Sequence, residues 1–271
     1  MKLQWLGWST FRLDVPGGPT LLLDPCVSAL LDDRHARLKD LDGADAILLT
    51  HGHHEHIKDL AEVVKHVGPV PILAPTQVRE YLIAYRDIPR DRFVTALPGE
   101  SARIAGVTVR SWAFPHLPKH DVKGKLGNLK RDNPLGAPWL LVRHGPRIVR
   151  SWFAIKRQPE FGPFLAYDMD VAGRRVFFTC EAFTELLESE TVRSWRRAAG
   201  PVDLAVVGVE SGQEHAAGRL TEELGAGRSV SCAVHATFER FYGKPAVDGE
   251  SWRGGRADRA VWSVGDSLDL G

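Results

Sequence analysis

A chain of 271 residues can form one large domain or two small ones, and it is long enough to bury a sizeable core. With 44% hydrophobic and 25% charged residues it has the profile of a soluble globular protein, and a net charge of +1 gives no global electrostatic case for nucleic acid or a membrane surface. Residues 1–7 lack the apolar core and cleavage-like site of a signal peptide, and no stretch reaches the apolar length of a membrane span. The three cysteines, Cys26, Cys180 and Cys232, are odd in number and far apart, which speaks against a disulfide framework and for a reducing, cytoplasmic setting.

The run Leu3 to Val15 alternates well towards its end and reads as a strand. Pro16-Gly17-Gly18-Pro19 makes a turn, and Thr20-Leu21-Leu22-Leu23-Asp24-Pro25 is a short apolar strand ending in an acid. Asp24 can orient a metal-bound histidine from behind, or it can serve as a turn or capping acid. Leu30 to Asp45 is polar and reads as a loop with a helix. Ala46 to Leu49 is a buried strand, residues 57–64 look helical, residues 69–75 form a strand, and Thr76 opens a helix. Strand and helix alternating in this order argue for α/β layering.

Ala102 to Trp112 reads as a hairpin turning near Gly106, and it delivers His116 just past its end. Residues 117–163 are Pro- and Gly-rich and hold ten Lys or Arg against three acids, so they read either as a solvated surface insertion or as a rim that attracts an anionic substrate. Phe164 to Thr179 is a second hairpin that delivers Cys180 and Glu181. Phe183 to Ala199 reads as an amphipathic helix, Asp203 to Val209 as a buried strand, and Leu220 to Leu224 as the start of a helix. Ser229 to Val234 is a strand ending at His235, and Ala260 to Leu270 closes the chain in an extended segment. With no internal repeat or linker, a single domain spanning 1–271 is expected, with a basic insertion at about 117–163.

The chemistry concentrates in Thr50-His51-Gly52-His53-His54-Glu55-His56, directly after the buried strand Ala46 to Leu49. Imidazole is the commonest nitrogen ligand for zinc and also suits iron and copper. Strand ends that open into loops are where α/β proteins build their sites. His51, His53, Glu55, His56, His116, Glu181 and His235 all fall at such ends, which is enough for two divalent metal ions. One partition places His51, His53 and His116 on one ion and Glu55, His56 and His235 on the other, with Glu181 bridging; His120 competes with His116. Each ion then keeps an open position for water, as catalytic sites do. His54 reads as pointing away from its neighbours in an extended turn, and Cys180 either approaches the metal or is a small buried hydrophobe.

The His51-Gly52-His53-His54-Glu55-His56 run resembles the His-x-His-x-Asp-His signature of the metallo-β-lactamase fold superfamily. Residues 5–11, Leu22-Leu23-Asp24-Pro25, Val176 to Glu181, Val234 to Phe238 and Gly265 to Leu270 resemble, in order, the branch containing ascorbate-6-phosphate lactonase and N-acyl-phosphatidylethanolamine phospholipase D. The resemblance implies a four-layer αββα sandwich with the metals at one edge of the two sheets. It also implies a dinuclear hydrolase in which a metal-activated hydroxide attacks an ester, lactone or phosphoester of an anionic small molecule. Glu55 would then be both ligand and proton shuttle, with zinc the first choice of metal. Two positions depart from the family pattern: Glu55 stands where the family has Asp, and Glu181 stands where the bridging Asp would be. The longer carboxylates leave three readings: hydrolysis with a backbone adjustment, an iron or manganese centre performing di-iron oxygenation, or a weakened site in a non-catalytic metal-binding module. A homo-oligomer is compatible with each of them.

Overall fold

The computed structural model describes residues 1–28, 35–115, 142, 145–146, 149, 153, 163–180, 187–234, 236 and 245–270, and of Glu55 the backbone alone. Among these residues two seven-stranded sheets form the centre of the molecule. The first holds β1 (Lys2–Gly7), β2 (Thr10–Asp14), β3 (Thr20–Leu23), β4 (Ala46–Leu48), β5 (Ile72–Pro75), β6 (Phe93–Ala96) and β14 (Ser267–Asp269), in the order β14-β1-β2-β3-β4-β5-β6. The second holds β7 (Ser101–Ile104), β8 (Val107–Ala113), β9 (Leu165–Val171), β10 (Arg174–Thr179), β11 (Leu204–Gly208), β12 (Arg228–Cys232) and β13 (Arg259–Trp262), in the order β13-β12-β11-β10-β9-β8-β7. Each sheet begins as an antiparallel meander. The first turns parallel from β3 onward and the second from β10 onward.

The apolar residues of the parallel strands are divided between two faces, as period-two geometry requires. Leu21, Leu23, Leu48 and Leu73 face Leu204, Val206, Val176 and Phe178 in the space between the sheets. Their neighbours Leu22, Ile47, Ile72 and Ala74 point the other way. They pack on Leu60 and Val63 of α2 (Leu60–Val67) and on Val78 and Leu82 of α3 (Thr76–Arg86). On the far side Phe177, Ala205 and Val207 meet α4 (Ser189–Ala199), α5 (Glu214–Glu223) and α6 (Gly249–Arg253) through Trp195, Leu220 and Trp252. Three apolar layers between four structural layers make an αββα sandwich.

Several boundaries differ from the sequence reading. Leu3 to Val15 is a hairpin rather than one strand. The chain turns at Trp8-Ser9, where Gly7 and Trp8 take φ of 109° and 49° and the Trp5 indole donates to the Trp8 carbonyl at 2.8 Å. The helix expected over 57–64 is broken into α1 (His54–Ile57) and α2. Between them Asp59 turns its carboxylate to the loop after β3, accepting the amides of Val27 and Ser28 at 3.0 and 2.9 Å. Leu220 to Glu223 ends α5 instead of starting a helix. The run Ala216-Ala217-Gly218 hides the apolar stripe, and Gly218 is small because a Cβ there would come within 2.8 Å of the Arg259 guanidinium. Glu188 is extended, so α4 begins at Ser189. The closing segment is two strands in different sheets, separated by a turn in which Asp266 accepts the Ser263 amide at 2.7 Å.

Candidate metal centre

β3 and β4 run side by side, and both end at the same edge of the sandwich. β3 delivers Asp24 there, and β4 delivers Thr50 and His51 two and three residues past its end. Asp24 is fully buried in the left-handed region, with φ of 44°. Asp and Asn tolerate that region better than other residues bearing a Cβ. Its backbone is held by its own amide donating to the Leu48 carbonyl at 2.9 Å and by the Ser9 hydroxyl donating to its carbonyl at 2.8 Å. The carboxylate is therefore aimed by a fixed main chain.

One Asp24 oxygen, Oδ1, accepts the Thr50 amide at 2.8 Å, and Oδ2 accepts the Thr50 hydroxyl at 2.6 Å. A hydroxyl has a single proton. With that proton on Asp24, Thr50 Oγ1 acts as the acceptor in its 2.9 Å contact with His51 Nδ1. The proton of His51 thus resides on Nδ1, and Nε2 carries the lone pair. The same Asp24 Oδ2 lies 3.4 Å from His56 Nδ1. One carboxylate therefore faces two imidazoles, His51 through the Thr50 hydroxyl and His56 through charge proximity.

His51 is the centre of the cluster. Its ring centroid is 4.1 Å from that of His56 and 4.6 Å from that of His53. Phe164, at the mouth of β9, lies 5.1 Å from His51 and 5.4 Å from His53 and covers them on one side. The second sheet is fastened to this edge by main chain and side chain together. The Leu165 amide donates to the Thr50 carbonyl at 3.0 Å, and the buried Tyr167 hydroxyl donates to the Leu49 carbonyl. Burial disfavours a charged His56, yet Cys180 and Asp24 outweigh it and hold the ring's pKa well above its ordinary value. Burial, with Asp24 alongside, pushes the Tyr167 phenol well above its own, so it stays a neutral donor.

Three imidazoles this close repel one another if all are protonated, and they suit a shared cation if they are neutral. The donor set thus fits a divalent metal. His51, His53 and His56 come together with Asp24 behind them. Glu55 has its backbone in α1 and its side chain outside the described residues. His116, Glu181 and His235 lie outside the described residues, as does nearly all of the basic insertion. His54 opens α1 rather than lying in an extended turn, because the chain coils immediately after His53. Thr50, Phe164 and Tyr167 had no role in the sequence reading. Thr50 was legible only as the first residue of the histidine run, and the two aromatics reach the site from a strand more than a hundred positions away.

Residues 20–149 match the family model described as the β-lactamase superfamily domain. A UPF0173 metal-dependent hydrolase of Thermodesulfovibrio yellowstonii is 29% identical over 164 residues, 55% of this chain and 58% of the relative. One of Ruegeria sp. is 42% identical over 84 residues, 30% of this chain and 35% of the relative. The alignments thus span 35–58% of these curated relatives' length. Among solved structures, the metallo-β-lactamase fold protein YhfI from Bacillus subtilis superimposes with a TM-score of 0.58 at 13% identity, over 99% of both chains. CmlA, a diiron β-hydroxylase from Streptomyces venezuelae, gives 0.63 at 14% identity over 99% of this chain and 54% of its own. The chain has the metallo-β-lactamase fold, and just under half of it matches the β-lactamase superfamily domain model. No helix among the described residues is long and apolar enough to cross a membrane.

Proposed function

We propose that this protein is a metal-dependent hydrolase of a single domain, acting on an ester, lactone or phosphoester of an anionic small molecule. The observation that carries this reading is the convergence of His51, His53 and His56 at one strand end, with the buried Asp24 carboxylate behind two of them. The relatives' printed name, metal-dependent hydrolase, supports the same class. His51, His53, Glu55, His56, His116, Glu181 and His235 are the residues that would hold two divalent ions, zinc being the first choice. Such ions, when bound, supply Lewis acidity toward a carbonyl or phosphoryl oxygen and acidify water at neutral pH.

The chain's own contribution is positional. Asp24, through Thr50, keeps the His51 proton on Nδ1 and so presents Nε2 as a donor. Phe164 shields His51 and His53 from bulk water on one side. Glu55 is the proposed carrier of the proton. The ten basic residues of 117–163 support an anionic substrate drawn to the rim. The order of the motifs at residues 5–11, 22–25, 176–181, 234–238 and 265–270 supports the lactonase and phospholipase D branch. His53→Ala should abolish turnover on a panel of lactones, esters and phosphodiesters. Undiminished turnover by wild-type protein stripped of metal would sink the hydrolase reading, and oxygen consumption with a reductant would replace it by oxygenation.

A further inference from the structure

Asp59 stands at the junction between α1 and α2, just past the histidine motif. An aspartate at the start of a helix ordinarily accepts an amide of that helix. Asp59 makes no such cap. Its side chain, 11% exposed, turns instead to the loop that follows Asp24. Oδ2 accepts the Val27 amide at 3.0 Å, the Ser28 amide at 2.9 Å and the Cys26 thiol at 3.3 Å, and Oδ1 accepts the Ser28 hydroxyl at 2.7 Å. Lys58 alongside donates to the Ser28 carbonyl and to Ser28 Oγ. From the other side Thr10 Oγ1 accepts the Cys26 amide at 2.8 Å and donates to the Cys26 carbonyl at 3.0 Å. The loop is therefore pinned between β2 and the junction of the two helices.

Two short segments, 24–28 and 56–59, thus lie side by side and meet at both ends. At one end Asp24 Oδ2 faces His56 Nδ1 at 3.4 Å. At the other, the Asp59 carboxylate gathers residues 26–28. Hydrogen bonds to a carboxylate are about twice as strong as neutral ones, so this second link is stiff. α1 is a single turn of four residues and cannot hold its own direction by helix formation. Its direction is set by what fixes its ends: β4 on one side and the Asp59 clamp on the other.

We propose that Asp59 is a positioning residue of the metal centre: by clamping the loop after β3 to the junction of α1 and α2, it holds His56 and Asp24 at their working spacing. The inference rests on the reading of His56 as a ligand. Loss of the clamp lets the loop and α1 move apart, while His51 keeps its own tie to Asp24 through Thr50.

The test uses the full chain with zinc alone as the probe. Competition with a chelator should show Asp59→Ala weakening zinc binding by about 10–100-fold. Asp59→Asn keeps an oxygen for the two amides and can donate its NH2 to the Ser28 hydroxyl, so it should lie between Asp59→Ala and the wild type. A role in stability alone predicts a lower unfolding midpoint for Asp59→Ala with wild-type zinc affinity in the folded protein, and that result would overturn the proposal. The wild type gives a second test that needs no variant. Coupling between clamp and metal is reciprocal. Zinc loading should therefore slow amide exchange at Val27 and Ser28 by a comparable factor, read at low denaturant where exchange reports local opening. Unchanged exchange at both amides would overturn the proposal. The arm that separates the two readings is His56→Ala. If zinc stoichiometry survives that change, the ligand assignment of His56 fails and the proposal with it. If it falls while Asp59→Ala binds zinc like the wild type, the assignment stands and the Asp59 inference alone fails.

Discussion

At Asp24 a buried carboxylate accepts an amide and a hydroxyl from Thr50 and faces His56, while its main chain sits at a φ of 44°. Asp24→Asn keeps the size and the tolerance of left-handed backbone but loses the charge and one acceptor. Zinc affinity should fall by about 10–100-fold, measured by chelator competition, with the fold retained. Asp24→Ala also strands the Thr50 amide and hydroxyl and places a plain Cβ at positive φ. A loss of about 3–5 kcal/mol in denaturant unfolding is expected, the range for breaking a buried charged network. Equal metal affinity in wild type and Asp24→Asn would show that Asp24 is the turn acid that the sequence allowed as its other reading. Sequence alone left those two roles open because the choice depends on which neighbouring strand ends beside β3, a pairing no local pattern encodes.

The strand ends hold the site because the two sheets are stitched there. Tyr167→Phe removes the hydroxyl that joins β9 to the Leu49 carbonyl and leaves that carbonyl short of a donor. It should cost about 1–2 kcal/mol by denaturant unfolding with little change in the isolated sheets' packing. An unchanged midpoint would remove Tyr167 from the account. On the outer face, Glu80 of α3 pairs with Arg90 and Arg79, and these hydrogen bonds lower its pKa to about 2. A carboxyl whose folded pKa is depressed contributes stability above its ordinary value, and that contribution is lost as pH falls towards about 2. Glu80→Gln should therefore flatten the acid limb of the stability profile slightly, and added salt should mimic it, because the pair is exposed. β4 and β11 were legible because each is an apolar run bounded by turn residues, and β9 and β10 because they flank the Ala172-Gly173 turn. The break between α1 and α2 was not, because Asp59 serves a loop more than thirty positions earlier instead of its own helix. β6 and α6 were missed for want of apolar periodicity over so few residues.

At the scale of the whole molecule, two sheets with outer helices bring distant strand ends to one edge, and this geometry converts a run of histidines into a centre. The fold was legible in the histidine motif and in the order of the weaker motifs. How the edge is ordered was not, since Thr50 and Tyr167 act across the sheet interface. A metal held by residues that only the folded chain brings together stabilises that chain, so on this account loading should raise the thermal midpoint and chelation should lower it. The free thiols Cys26 and Cys232 should resist alkylation at neutral pH in either state, since burial pushes the first up to about 12 and the second well above its ordinary value. The central claim is that the β4 strand end is a metal centre built on His51, His53 and His56. Its most direct test is elemental analysis of protein purified without added metal, beside the His51→Ala and His56→Ala variants. The account predicts two equivalents of a divalent metal in the wild type and at most one in each variant. Wild-type protein that retains none, or variants that retain the full complement, would contradict it.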